Sequence, residues 1–148
     1  MRNLEELNLN GDGEHIPVTE EMFAEIGFQL PETYKEFIRY SNAACHPELD
    51  SLLNVPYPAS IGHLFIICDL VRHFWSYHQY LEWIKNVSDS TFPFAKDHGS
   101  NLWCFEFANN GTYHVALRFM DERFEKPLFM AESFEYLIDH LSVDPENI

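Results

Sequence analysis

Two apolar runs on either side of a short polar turn constrain the fold of this chain more than any other feature. Leu102–Phe107 carries Trp103, Phe105 and Phe107 at every second position, and Tyr113, Val115, Leu117 and Phe119 repeat the pattern beyond Asn109-Asn110-Gly111. A period of two is the signature of a strand with one face against a core. A three-residue loop with Gly111 in the left-handed region pairs Phe107 with Tyr113, Phe105 with Val115 and Trp103 with Leu117. A two-residue Asn-Gly loop would set the aromatic row opposite His114 and Arg118, because a one-residue slip turns every side chain to the other face. The longer loop is therefore expected. It also places Glu106 opposite His114 on the second face, which Cys104 shares.

The hairpin is entered through Phe92-Pro93-Phe94-Ala95-Lys96, a proline-pinned aromatic pair, and then Asp97-His98-Gly99-Ser100-Asn101, an acidic turn that contains glycine. Upstream, Thr19 is placed to cap a short helix, with Glu20 and Glu21 favourable in its first turn and Gly27 at its end. Leu30-Pro31-Glu32 starts a second helix with proline at the first helical position, where its missing N–H costs nothing. Tyr34, Phe37 and Ile38 line its apolar side, and Ser41-Asn42 begin its exit. Residues 43–61, with Pro47, Pro56 and Pro58, read as loop or irregular edge strand. Leu64–Cys68 reads as a short buried strand. Ser76 is expected to cap a helix whose Tyr77, Tyr80, Leu81 and Ile84 fall at i, i+3, i+4 and i+7. Leu128–Met130 reads as a further strand. Ser133 caps a last helix with Phe134, Leu137, Ile138 and Leu141 inward, and the tail after Leu141 is expected to fray. Successive strands without intervening helices imply antiparallel pairing, so the class is α+β: a central, mainly antiparallel sheet with flanking helices.

The 148 residues suit a single domain, 1–148, with its core at about 18–141. The 46% hydrophobic content rules against intrinsic disorder. Nine Lys and Arg face 24 Asp and Glu, a formal charge of −15. No basic footprint for nucleic acid is visible, and anionic membranes would repel the chain. A basic protein partner would be attracted; the alternative is that acidity serves solubility alone. An odd cysteine count without a CxxC, Cys45, Cys68 and Cys104, argues for reduced, buried thiols in a cytoplasmic protein. The N-terminal residues lack the apolar run of a secretory signal, and Leu64–Cys68 is too short to span a bilayer.

The residues that could carry chemistry do not converge. His78 and Glu82 stand four apart on a predicted helix and Asp97 adjoins His98, but neither pair indicates a third metal ligand, so no metal and no cofactor is expected. There is no GxSxG elbow, and Cys104 has no electropositive neighbour in sequence to lower its pKa. Gly11-Asp12-Gly13 lacks the third glycine of a dinucleotide fingerprint and follows no strand. Trp75 and Trp83 lie off the main seam of their helix. They are either exposed anchors at an interface or cover for a second edge of the core.

Three segments resemble the SMI1/KNR4 family of the SUKH superfamily. Leu30-Pro31-Glu32-Thr33-Tyr34-Lys35-Glu36-Phe37-Ile38 is similar to its LPxxYKxFL segment, Phe92–Asn101 to its (I/F)PFAxDxGGN segment, and Ala131–Leu137 to its C-terminal (A)xSFxEFL segment. They occur in family order over about residues 18–141. Ser100 stands where a second glycine is usual, and Asn42-Ala43-Ala44 replaces the usual NGG. The resemblance implies an α+β fold and no catalytic group or cofactor. It also implies either an immunity protein that neutralises a bacterial toxin, a nuclease among the candidates, or a regulatory scaffold of the kind linked to cell-wall glucan synthesis.

The expected function is thus a non-enzymatic protein-binding module, an immunity protein that meets a basic toxin domain with an acidic surface. Its expected contact residues are Glu32, Glu36, Asp97, Asn101, Trp103 and Glu106. Against this, Asp97 and Asn101 could simply build their turn and Trp103 could be core. The regulatory scaffold is one alternative. An enzyme or small-ligand binder with a pocket near His98 and Cys104 is another.

Overall fold

A computed structural model describes Leu4 and residues 18–41, 51–53, 60, 61, 63, 64, 75–97 and 99–143. In chain order these form α1 (Glu20–Ile26), α2 (Glu32–Ser41), β1 (Ser51–Leu53), β2 (Ser60–Ile61), β3 (His63–Leu64), α3 (Trp75–Lys85), β4 (Thr91–Lys96), β5 (Leu102–Phe107), β6 (Tyr113–Arg118), β7 (Pro127–Ala131), α4 (Phe134–Asp139) and β8 (Leu141–Val143). The main sheet is five-stranded and antiparallel, in the order β3-β4-β5-β6-β7. A small second sheet joins β2, β1 and β8, also antiparallel. The arrangement is α+β.

The central hairpin takes the expected register. Phe107 faces Tyr113, Phe105 faces Val115, Trp103 faces Leu117, and Glu106 faces His114. Gly111 sits at φ 85°, inside a loop closed by Ala108 and Thr112.

The preceding segment goes beyond the reading above. Phe92–Ala95 is not only a lead into a turn; it is the heart of β4, an interior strand. Proline lacks a ladder N–H and is normally confined to edges or bulges. Here the pairing shifts between Pro93 and Ala95, so a bulge absorbs the defect.

One face of the main sheet carries the aromatic core. The Tyr34 ring on α2 meets Phe94, Phe105 and Phe134 edge-on at 5.1–6.1 Å, and Phe94 stacks on Phe105 at 4.4 Å. Phe37 joins through Phe134, so α2 and α4 share this face. Glu20 pairs with both Lys35 and Arg39 and ties α1 to α2. The opposite face is met by α3. Lys96 Nζ lies over the Tyr80 ring, and Trp83 stacks on Phe124.

Caps explain the helix boundaries. Thr19 Oγ1 accepts from Met22 N, Gly27 closes α1 at φ 82°, and Ser133 Oγ accepts from Tyr136 N. Three boundaries differ from expectation. Glu32, not Pro31, is the first helical residue of α2, and the Pro31 carbonyl accepts from Lys35 N. Ser76 lies inside α3, which already includes Trp75, so it is not the cap. The last helix ends at Asp139, so Leu141, expected on its inner face, and Ser142–Val143, expected to fray, instead form a strand that pairs with β1, where a partner satisfies the backbone. Of the expected strand at Leu64–Cys68, Leu64 belongs to β3; residues 65–68 fall outside the described residues, as do the predicted turn at 11–13 and the tail from 144. Within 43–61, expected as loop or irregular edge strand, residues 51–53 and 60–61 are short strands, 60–61 at an edge and 51–53 in the middle of the small sheet.

Candidate partner-binding site

The Asp97–Asn101 turn is built by its own side chains. Asp97 Oδ1 accepts from the backbone N–H groups of Gly99 and Asn101, both at 2.9 Å, and Oδ2 accepts from Asn101 Nδ2 at 2.9 Å. Ser100, at the usual glycine position, takes φ 63°, a left-handed conformation that glycine adopts without steric cost. Asn101 also reaches out: its Oδ1 accepts from Met120 N at 3.0 Å, which fastens this turn to the one after β6.

That second turn is unusual. Met120–Glu122 form one turn of 3-10 helix, followed by Arg123 at φ 57° and Phe124 at φ 60°. With Ser100 these are the non-glycine residues of positive φ among the described residues, and all three belong to the two turns that Asn101 joins. Such residues cost energy and persist only where their surroundings hold them, often at binding sites.

The holding group is Arg118. It is 5% exposed and stands on the face of β6 opposite the aromatic core. Its Nε and Nη2 donate to the two Glu106 carboxylate oxygens at 3.0 and 2.6 Å, and Nη1 donates to the Phe124 carbonyl at 2.5 Å. Thr91 Oγ1 donates to the same carboxylate at 2.8 Å. Glu106 pairs across the ladder with His114, not with Arg118. The guanidinium therefore crosses the Cys104–Ala116 pair, two small side chains that leave room for it. Burial alone would lower the Arg118 pKa, but the Glu106 hydrogen bonds and charge outweigh it and hold the guanidinium protonated. Burial pushes the Cys104 thiol well up, and the Glu106 charge adds to this, so Cys104 is a neutral core thiol.

Between the end of α3 and this turn lies an open groove of about 420 Å³, lined by Trp83, Asn86, Val87, Met120, Arg123, Phe124 and Glu125. Trp83 is 41% exposed, Val87 39% and Met120 46%. Trp83 is thus partly exposed while one side of its ring covers the buried Phe124 and meets Tyr80. The side chain of Trp75 is outside the described residues.

The six expected contact residues do not form one patch. Glu32 and Glu36 are exposed on α2, one helical turn apart. Asp97 and Asn101 are half-buried in their turn. Trp103 is fully buried, because both faces of β5 are covered at that point, so it cannot touch a partner. Glu106 is committed to Arg118 and Thr91, and it stands at the far end of β5 from Asn101, roughly 17 Å away at ~3.4 Å per residue. The groove was not visible in sequence beyond Trp83. Nothing in Arg123-Phe124 announces a left-handed pair, since neither is glycine.

Among the described residues no three His, Cys, Asp or Glu side chains could share a metal ion. His98 is outside the described residues, and Cys104 is sealed. No described helix is long and apolar enough to cross a membrane.

A family model described as SMI1 / KNR4 family (SUKH-1) matches residues 17–140. No curated protein and no solved structure matches the chain.

Proposed function

The chain belongs to the SMI1/KNR4 family (SUKH-1), and from that premise we propose that it is an immunity protein that binds and neutralises a basic toxin domain. Family membership supports a non-catalytic, immunity-type module at the level of the family. The observation that carries the finer reading is the charge of −15 on a folded domain. A toxin that acts on nucleic acid needs a basic surface. A polyanionic protein competes for that surface and is steered to it by long-range attraction. Glu32, Glu36, Asp97 and Asn101 remain the proposed polar contacts. Trp103 and Glu106 leave the set, one to the core and the other to its ion pair.

Co-expression with a toxin domain encoded by a neighbouring gene tests the reading. Cells carrying both are expected to survive, and the two proteins are expected to co-purify. Failure of both rescue and binding sinks the proposal. Association is expected to slow by an order of magnitude or more between low and physiological salt, the range over which exposed charges are screened. An association rate indifferent to salt removes the electrostatic part.

A further inference from the structure

We propose that the groove between α3 and the turn after β6 receives an apolar side chain from a partner segment that carries lysine or arginine on either side of it. This deepens the toxin-binding reading and rests on it for the identity of the partner, though not for the groove's own chemistry.

Three observations meet at this place. Trp83, Val87 and Met120 are large hydrophobics left exposed within a single groove. Exposed apolar residues scattered singly are ordinary, whereas an apolar cluster with an exposed aromatic in it suits an anchor pocket. The wall is also held in shape before any partner arrives. Phe124 stacks on Trp83 in a left-handed backbone that the buried Arg118 pins through the Phe124 carbonyl. A preformed wall spares the partner the cost of ordering it. Charge then selects the occupant. The lining itself holds one cation and one anion, Arg123 and Glu125, and the flanking residues add Glu82, Asp89, Asp121 and Glu122 against Lys85 and Lys126, a net of −2. The Asp97 carboxylate lies one hydrogen-bonded residue further on. This acidic excess disfavours a second copy of the chain, itself at −15, and favours a cationic segment.

The test uses the full chain, labelled with nitrogen-15, and four probes followed by amide chemical shifts. The probes are a capped Lys-Arg-Leu-Lys-Arg peptide, the same peptide with glycine for leucine, its Glu-Asp-Leu-Glu-Asp counterpart, and free indole. Saturable shifts at residues 83–87 and 119–125 are expected with the basic leucine peptide alone. Trp83→Ala and the exposed-site variant Val87→Asn are expected to weaken that binding about tenfold or more, with the remaining spectrum folded. Equal binding of the glycine peptide means charge without a pocket and overturns the proposal. So does equal binding of the acidic peptide, of indole alone, or shifts confined to α2 and α4. If wild type binds the peptide at the groove but not the neighbouring toxin, the toxin reading fails while the groove stands. If the toxin binds and both groove variants bind it equally well, the groove is not its docking point and the proposal fails.

Discussion

Replacing Arg118 tests whether the strained turn after β6 depends on a buried charge. Its side chain is 6% exposed and that of Glu106 12%, so water screens the pair little. Arg118→Met leaves the Glu106 carboxylate with Thr91 as its remaining hydrogen-bond donor among the described contacts and strips the Phe124 carbonyl of its donor. Breaking a buried pair from one side costs about 3–5 kcal/mol, far above the ~0–1 kcal/mol of an exposed pair. That is a large part of the ~5–15 kcal/mol that holds a domain of this kind together. Glu106→Gln keeps the shape but leaves the guanidinium charge uncompensated, at about 2–3 kcal/mol. The double variant loses both charges and should cost at least ~1 kcal/mol less than the sum of the singles. Arg118→Lys keeps the charge, but an ammonium cannot fork to both carboxylate oxygens and the carbonyl together, so it should fall between. Urea denaturation gives the energies. A thermal melt should show Arg118→Met lower by roughly 6–20 °C, at ~2–4 °C per kcal/mol. Amide exchange at 119–125 should rise in Arg118→Met more than in Glu106→Gln, since only the former frees the Phe124 carbonyl. Single-variant costs under ~1 kcal/mol that simply add would refute the argument.

Tyr34 is fully buried, and its hydroxyl has no hydrogen-bond partner among the described residues. Tyr34→Phe should therefore be neutral or stabilise by about 1 kcal/mol, read by urea midpoint; a loss above ~1 kcal/mol would mean the hydroxyl is satisfied. Burial raises the Tyr34 and Tyr113 phenols and the Cys104 thiol above their ordinary values of 10.0 and 9.0, so the folded state keeps protons that the unfolded state releases. Stability from these groups is full below about pH 9 and should fall as pH rises beyond it, and Tyr34→Phe should flatten that fall; midpoints measured from about pH 8 to 10.5 check the sign. Asn101→Ala removes the acceptor for Met120 N and should cost about 1–2 kcal/mol, with faster exchange of the Met120 amide. Ser100→Gly removes a side chain from a φ 63° position; relief of the left-handed cost against added chain entropy leaves a net gain of about 0.5–1 kcal/mol, and a lower melting temperature would contradict it.

The parts of the fold legible in sequence are those where one physical signal acts alone. Alternation over Trp103–Phe107 and Tyr113–Leu117 set a register that a single-residue slip would have ruined, and Gly111 marked the loop. Thr19, Gly27 and Ser133 marked helix ends because capping is local. The signal failed where tertiary contacts overrode it. Phe92–Ala95 read only as the way into a turn, because a proline gives no strand signal, yet a bulge at Pro93–Ala95 makes room for an interior strand. Leu141–Val143 had too few residues to announce a strand, and its pairing partner in β1 lies nearly ninety residues earlier.

The candidate site was harder to read for a related reason. Trp103 looked available because alternation assigns a side chain to a face without saying whether that face is covered. Glu106 looked available because the partner that consumes it sits diagonally, four residues along β6 from its ladder neighbour. Cys104 and Ala116 share the intervening row, and their small size is what lets Arg118 cross the sheet. A reading by pairs cannot see a bond that skips a pair.

The same diagonal bond gives the ion pair its role. Hydrophobic replacements at Glu106 and Arg118 could match or exceed the pair in stability, since desolvation offsets much of a buried salt bridge. They could not donate to the Phe124 carbonyl, which sits in a left-handed turn of ordinary residues that has no glycine to relax it. The pair is therefore better understood through the turn than through the core. It fixes the wall that Phe124 presents to Trp83, while Asn101 fixes the other end of the turn at Met120. Two anchors on one short turn, one a buried charge and one an amide from the acidic loop, make the groove and that loop a single mechanical unit. A partner that grips one must find the other already in position.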